Sequence, residues 1–238
     1  MKAMILAAGL GTRLKPFTDH HPKALALVNG KTLLQRNIEY LKSYGVDSFI
    51  INVHHFAEQI IQYLQKHNFF DTQIEISDER NEILETGGGL LKASWFFDKD
   101  EPFILMNADM LTDIDMFEMY TYHKLRKPLA TLAVCKRNSS RCLLFNQENI
   151  LCGWQNTSTE EIKMSRDENN LQSFSFSGIH IIEPGIFSQI RFTGKFSMID
   201  VYLELAKINN IIAFDHSGKK LLDVGKPESI VEAEKLFF

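Results

Sequence analysis

Spread over 238 residues, a net charge of −4 gives no electrostatic footprint for nucleic acid, so any functional cation must act locally. With 45% hydrophobic residues the chain can bury one large core, yet no apolar run reaches the ~18 residues of a membrane span. Three cysteines, Cys135, Cys142 and Cys152, make an odd count without paired metal spacing, which predicts reduced thiols in a cytoplasmic protein.

The apolar run 3–8 predicts a buried strand that empties into Gly9-Leu10-Gly11-Thr12-Arg13. Lys2 before it gives a weak signal-peptide outline, but cleavage after Ala8 would remove the strand that feeds the loop. Gly9 and Gly11 let the backbone turn and offer bare N–H groups to phosphate oxygens, and Arg13 and Lys23 bring positive charge to the same mouth. A dinucleotide fingerprint needs Gly or Ala where this chain has Leu14, and an acid about 20 residues on that is missing between Asp19 and Glu39; a nicotinamide-dependent oxidoreductase fails on both counts. A Walker A loop fails because no Gly-Lys-Ser/Thr follows.

Downstream, Thr32 is placed to cap a helix through Leu33, Leu34, Ile38 and Leu41 that ends at Gly45. A strand over 48–53, a helix over 57–66 and a strand over 73–77 continue the alternation, which predicts an α/β fold with a mostly parallel, Rossmann-like sheet flanked by helices. His54-His55 is read as polar surface and not as a metal site, because neighbours in an extended segment point to opposite faces. Gly87-Gly88-Gly89, after Leu84-Glu85-Thr86, is expected to expose the first amides of a helix running through Leu90, Leu91 and Trp95.

A buried strand over 102–106 ends in Asn107-Ala108-Asp109, and an acid at the carboxyl end of a central strand stands where open α/β sheets bind ligands. Magnesium, which takes hard oxygen ligands, is the expected partner of Asp109, whereas Asp113 and Asp115 suit caps and turns. After a helix over 116–125 and a strand over 130–134, the polar pieces between 138 and 170 predict a small β-rich flap beside the sheet, within a β-rich subregion of about 136–182. The alternating stretch 173–182 surrounds Ser177-Gly178, where a ligand contact and a close-packed bulge are equally open. A helix over 199–207 and a strand over 211–214 follow, and Asp223 then stands between apolar residues before Gly225 and a terminal helix over 228–236. A buried acid without a local Arg must be paired or coordinating, which favours a second carboxylate on the same magnesium.

Four segments together resemble the sugar-1-phosphate nucleotidyltransferases: Leu-Ala-Ala-Gly-Leu-Gly-Thr-Arg-Leu with Pro-Lys-Ala-Leu, Leu84 to Gly89, Ile104 to Asp109, and Asp223-Val224-Gly225. Leu-Glu-Thr-Gly-Gly-Gly is most similar to the bacterial N-acetylmuramate-1-phosphate uridylyltransferases, with mannose-1-phosphate guanylyltransferases next. The resemblance implies the nucleotide-diphospho-sugar transferase fold and Mg2+-dependent transfer of a nucleoside monophosphate from a triphosphate to a sugar 1-phosphate, with UTP and an N-acetylmuramate or hexose 1-phosphate expected. Catalytic roles fall to Arg13, Lys23, Asp109 and Asp223, the last two as metal ligands. Nucleotide contacts fall to Leu6, Ala7, Ala8, Gly9, Gly11, Thr12, Arg13, Lys23, Glu85, Thr86 and Gly88. Sugar contacts fall to Asn107, Ser177, Gly178 and Lys195, with Lys163 an alternative for the lysine. Glu85 replaces the commoner Gly of the base segment, and Lys195-Phe196 inverts the muramate-type order. A single nucleotidyltransferase domain over 1–238, without room for an appended hexapeptide-repeat domain, as monomer or homodimer and with a place in cell-wall nucleotide-sugar supply, completes the expectation. A non-catalytic, nucleotide-sugar-binding regulatory subunit is the rival of another class.

Overall fold

The computed structural model describes residues 1–237. Its strands and helices, in chain order, are β1 (Lys2–Leu6), β2 (Leu27–Val28), β3 (Lys31–Thr32), α1 (Leu33–Ser43), β4 (Ser48–Val53), α2 (Ala57–Lys66), β5 (Gln73–Asp78), α3 (Glu85–Lys92), β6 (Phe103–Asn107), β7 (Met110–Thr112), α4 (Met116–Arg126), β8 (Ala130–Cys135), β9 (Arg141–Phe145), β10 (Leu151–Asn156), β11 (Glu161–Met164), β12 (Gln172–Ile182), α5 (Met198–Leu205), β13 (Ile211–Asp215), β14 (Leu221–Asp223) and α6 (Pro227–Leu236).

Ten strands form one mixed sheet with the path β11-β10-β9-β12-β6-β1-β4-β5, and β8 pairs with both β12 and β13. The β6-β1-β4-β5 part is parallel. Alternation along these strands decides what covers them, because successive side chains leave opposite faces. Met4, Ile50, Phe103 and Leu105 join Leu90, Val201, Tyr202 and Leu205, so α3 and α5 lie on one face. Ala3, Ile5, Phe49, Ile51, Ile104 and Met106 join Leu34, Ile38, Ile60, Leu64 and Met119, so α1, α2 and α4 lie on the other. Strands buried on both sides are continuously apolar, as these are. A smaller cluster of Leu14, Val28, Leu33, Leu111, Val224 and Ala233 seats α6 beneath the glycine loop.

Thr32 caps α1 as expected, its hydroxyl accepting the Gln35 N–H at 3.0 Å. The expected β-rich region is present as the antiparallel strands β9, β10 and β11, and it continues the main sheet through β12 where a separate piece beside the sheet was expected. The physical reason is the length of β12, whose first residues pair with β9 and whose last residues pair with β6 and β8. The glycine segment is corrected too. Gly87, Gly88 and Gly89 lie inside α3 and are buried, and Trp95 falls beyond that helix with its side chain exposed. The cysteines are free thiols, all buried, and among the described residues no helix is long and apolar enough to cross a membrane.

Candidate active site

Parallel register aligns Leu6 with Asn52 and with Asn107, so three strands end in one row. Their carboxyl ends floor a cleft of about 350 Å³. Leu6, Ala7, Ala8, Gly9 and Lys23 border it from the loop side, Glu85 and Thr86 from α3, and Asn107 and Asp109 from the end of β6. Nothing stands within 4 Å of where a Cβ on Gly9 would be, so a ligand can meet bare backbone there. Gly11 serves differently. It has φ +64°, and a Cβ on it would come within 2.8 Å of Thr18 Cγ2 and 3.0 Å of Lys23 Cβ. Its carbonyl accepts both Leu14 N–H and the Thr18 hydroxyl, which fixes the turn that carries Thr12 and Arg13.

The four charged residues of the expected site meet, although 210 positions separate Arg13 from Asp223. Lys23 Nζ donates to Asp109 Oδ2 and stands 3.6 Å from Asp223 Oδ1, and Arg13 Nη2 is 3.5 Å from Asp223 Oδ2. Antiparallel pairing of β14 with β7 sets Asp223 opposite Met110, and Val224 N–H donates to the Asp109 carbonyl at 2.9 Å. The sequence shows no Arg near Asp223 because its cations come from the opposite end of the chain. Exposure grades outward: Lys23 is 13% exposed, Asp109 25%, Asp223 34% and Arg13 60%. Asp223 Oδ1 is nevertheless buried without a hydrogen-bond partner. A Cβ on Gly225 would meet that same oxygen at 2.8 Å and Arg13 Nη2 at 2.9 Å, so glycine here leaves room for the pair. No group of three or more His, Cys, Asp and Glu side chains able to hold a metal occurs among the described residues, His54 and His55 included.

Other expected residues are placed apart from the cleft. Gly88 faces backwards: its N–H, like that of Gly87, donates to the Phe196 carbonyl, and a Cβ on it would stand 2.3 Å from the Gly194 carbonyl oxygen. Ser177 is buried behind the wall with its hydroxyl 2.7 Å from His216 Nε2. Gly178, at φ +71° in a bulge of β12, supports Asn107 from behind, since a Cβ there would meet Asn107 Nδ2 at 2.8 Å. Lys195 is exposed and pairs with Glu85 at 3.5 Å, whereas Lys163 sits on edge strand β11 with Glu161 and Trp154. Sequence reasoning missed Asn52, Ile83 and Ser197 in the lining. Asn52 had a signal, a polar residue inside the apolar run of β4.

The family pattern described as Nucleotidyl transferase matches residues 2–141. The chain belongs to the nucleotidyl transferase family. Among curated members, the N-acetylmuramate alpha-1-phosphate uridylyltransferase of Caulobacter vibrioides is 29% identical over 98% of this chain and 95% of its own length. The D-glycero-alpha-D-manno-heptose 1-phosphate guanylyltransferase of Campylobacter jejuni is 32% identical over 96% of each. Among solved structures, HddC from Yersinia pseudotuberculosis superposes with a TM-score of 0.80 at 24% identity, covering 100% of this chain and 99% of that one. The family match and the curated members bear out the resemblance read from the four motifs, and the likeness to HddC bears out the fold.

Proposed function

We propose that this chain transfers a nucleoside monophosphate from a triphosphate to a sugar 1-phosphate, with release of pyrophosphate. The observation that carries the proposal is the meeting of Arg13, Lys23, Asp109 and Asp223 beside a cleft bordered by the bare backbone of Gly9. An oxygen of the sugar phosphate attacks the α-phosphorus, one P–O bond forms, the bond to the β-phosphate bridging oxygen breaks, and the electron pair leaves with pyrophosphate. No general base is required, because a phosphate monoester with a second pKa of about 6 is mostly dianionic near neutrality. The work left to the protein is positioning and charge neutralisation. Gly9 and the loop amides hold the triphosphate, Arg13 holds the departing pyrophosphate, and Lys23 swings from Asp109 to bridge the reacting phosphates.

Asp109 and Asp223 suit magnesium: both are hard oxygen donors at strand ends, and Asp223 Oδ1 is buried without a hydrogen-bond partner. When bound, the ion neutralises charge on phosphoryl oxygens. Asn107, held from behind by Gly178, is the proposed sugar contact among the residues that line the cleft.

For the base we propose uracil, on the likeness of Leu84 to Gly89 to the uridylyl-transferring members. One observation favours a second reading, GTP: Glu85 is among the residues lining the cleft, and its carboxylate, paired with Lys195, is of the type that accepts from the guanine N1–H and amino groups. A panel of UTP, GTP, CTP and dTTP against N-acetylmuramate, N-acetylglucosamine, glucose and mannose 1-phosphates, read by pyrophosphate release, tests both. Fastest turnover is expected with UTP. Faster turnover with GTP across the panel would replace the base assignment, and no pyrophosphate from any pair would remove the reaction itself.

A further inference from the structure

Two buried side chains join the walls of the cleft. Asn52 Oδ1 accepts the Ala7 N–H at 2.7 Å, and Asn52 Nδ2 donates to Glu79 Oε1 at 2.8 Å. Glu79 Oε2 in turn accepts the Leu84 N–H at 3.2 Å, at the start of α3. An unbroken relay therefore runs from the residue after β1 to the turn that presents Glu85 and Thr86. Glu79 is 1% exposed, and the partners of its carboxylate are neutral amides. Burying a carboxylate on neutral donors costs stability rather than adding to it, so its worth lies in what it holds. The third glycine of α3 belongs to the same device: a Cβ on Gly89 would stand 2.7 Å from Glu79 Oε1 and 3.0 Å from Asn52 Nδ2.

We propose that Asn52 and Glu79 are positioning residues that set the distance between the glycine loop and the 83–86 turn, and so the slot that takes the base and ribose. The inference rests on the proposed nucleotidyl transfer. Its polarity is strict, because Ala7 and Leu84 both offer N–H donors. The two side chains between them must present an acceptor at each end and one donor–acceptor pair in the middle. Asn52 and Glu79 meet that requirement, with both carboxylate oxygens of Glu79 accepting. Glu79→Gln leaves one oxygen for two donors and turns an NH2 group on the other. Asn52→Asp sets carboxylate against carboxylate. The double variant Asn52→Asp/Glu79→Gln restores every bond at the same net charge, since the new carboxylate accepts from Ala7 and from the new amide, whose oxygen accepts from Leu84.

The three variants and the parent are compared for kcat, for KM toward triphosphate and sugar 1-phosphate separately, and for triphosphate binding without acceptor. Each single change is expected to raise triphosphate KM and Kd about tenfold or more with sugar KM little changed. The double variant is expected to return within about threefold of the parent. Unchanged triphosphate KM and Kd in the singles, an equal rise in both KM values, or a double variant no better than the worse single would each overturn the relay. Should a single variant fail to fold, the double variant decides alone, parent-like binding supporting the proposal and weakened binding overturning it. A parent that turns over no substrate pair would count against the reaction, while the binding measurements would still read the relay.

Discussion

In the proposed reaction Asp109 and Asp223 carry the most weight, because each places a carboxylate at the cleft beside a strand end and Lys23 reaches both. Without the ion pairs, the two partly buried carboxylates would repel each other. Lys23 supplies the cation that pairs with both, and in the proposed reaction a divalent ion with phosphates would take its place as Lys23 turns to the triphosphate. Asp109→Asn and Asp223→Asn keep size and remove charge. Each is expected to lower kcat/KM about 100-fold or more and to shift the magnesium requirement to higher concentration. Titrating magnesium against turnover checks this. Parent-like turnover of both variants at limiting magnesium would remove the metal assignment and leave the ion pairs as structure only.

At the scale of elements, the meeting of the four charged residues was legible because each sits beside a strong local signal, a glycine loop or the end of an apolar strand. The three-glycine segment was not legible in the same way. Glycine in a sequence announces that a side chain is forbidden, without saying what occupies its space. In the structure Phe196 occupies it at Gly87, the Gly194 carbonyl at Gly88 and Glu79 at Gly89, so these glycines pack α3 and do not bare its amides. Likewise Ser177 alternates with apolar neighbours in β12, yet the bulge turns its hydroxyl to His216. Strands β9 to β11 pair locally as hairpins, so their β character was legible, whereas the join of β9 to β12 that merges them with the main sheet leaves no local mark. Thr86 completes the clasp between α3 and the 194–198 segment, its hydroxyl accepting the Met198 N–H at 2.9 Å. Gly88→Ala forces a methyl against backbone rather than against a movable side chain. It is expected to cost about 2 kcal/mol in urea unfolding, with loss of activity as the clasp opens. An unchanged urea midpoint would mean that the clasp gives way freely.

Across the whole molecule, three histidines are buried away from the cleft: His123 beside Thr131 and Glu183, His180 beside Tyr202, and His216 beside Ser177. Burial lowers the pKa of each, at His123 against the opposing pull of Glu183 and at His216 against that of Asp215. For His180, with burial as the cause, the value falls from 6.5 to about 3. Each takes up its proton at lower pH in the folded chain than in the unfolded chain, which binds protons as the pH falls through 6.5, so acid favours unfolding. The stability they hold is complete above that value and is lost as the pH falls toward the folded values. Between pH 7 and pH 5, His180 alone should remove about 2 kcal/mol. This window isolates the histidines, because the carboxyls with lowered values, Glu39, Asp47 and Asp78, titrate below ordinary values of 4.5, 3.8 and 3.8. His180→Gln can keep a hydrogen bond to Tyr202 and cannot titrate. Its urea midpoint is expected to start lower at pH 7, since the new side chain fits the core less well, and then to fall less than the parent's by pH 5. Equal falls in parent and variant would show that His180 is not the group that carries the acid limb.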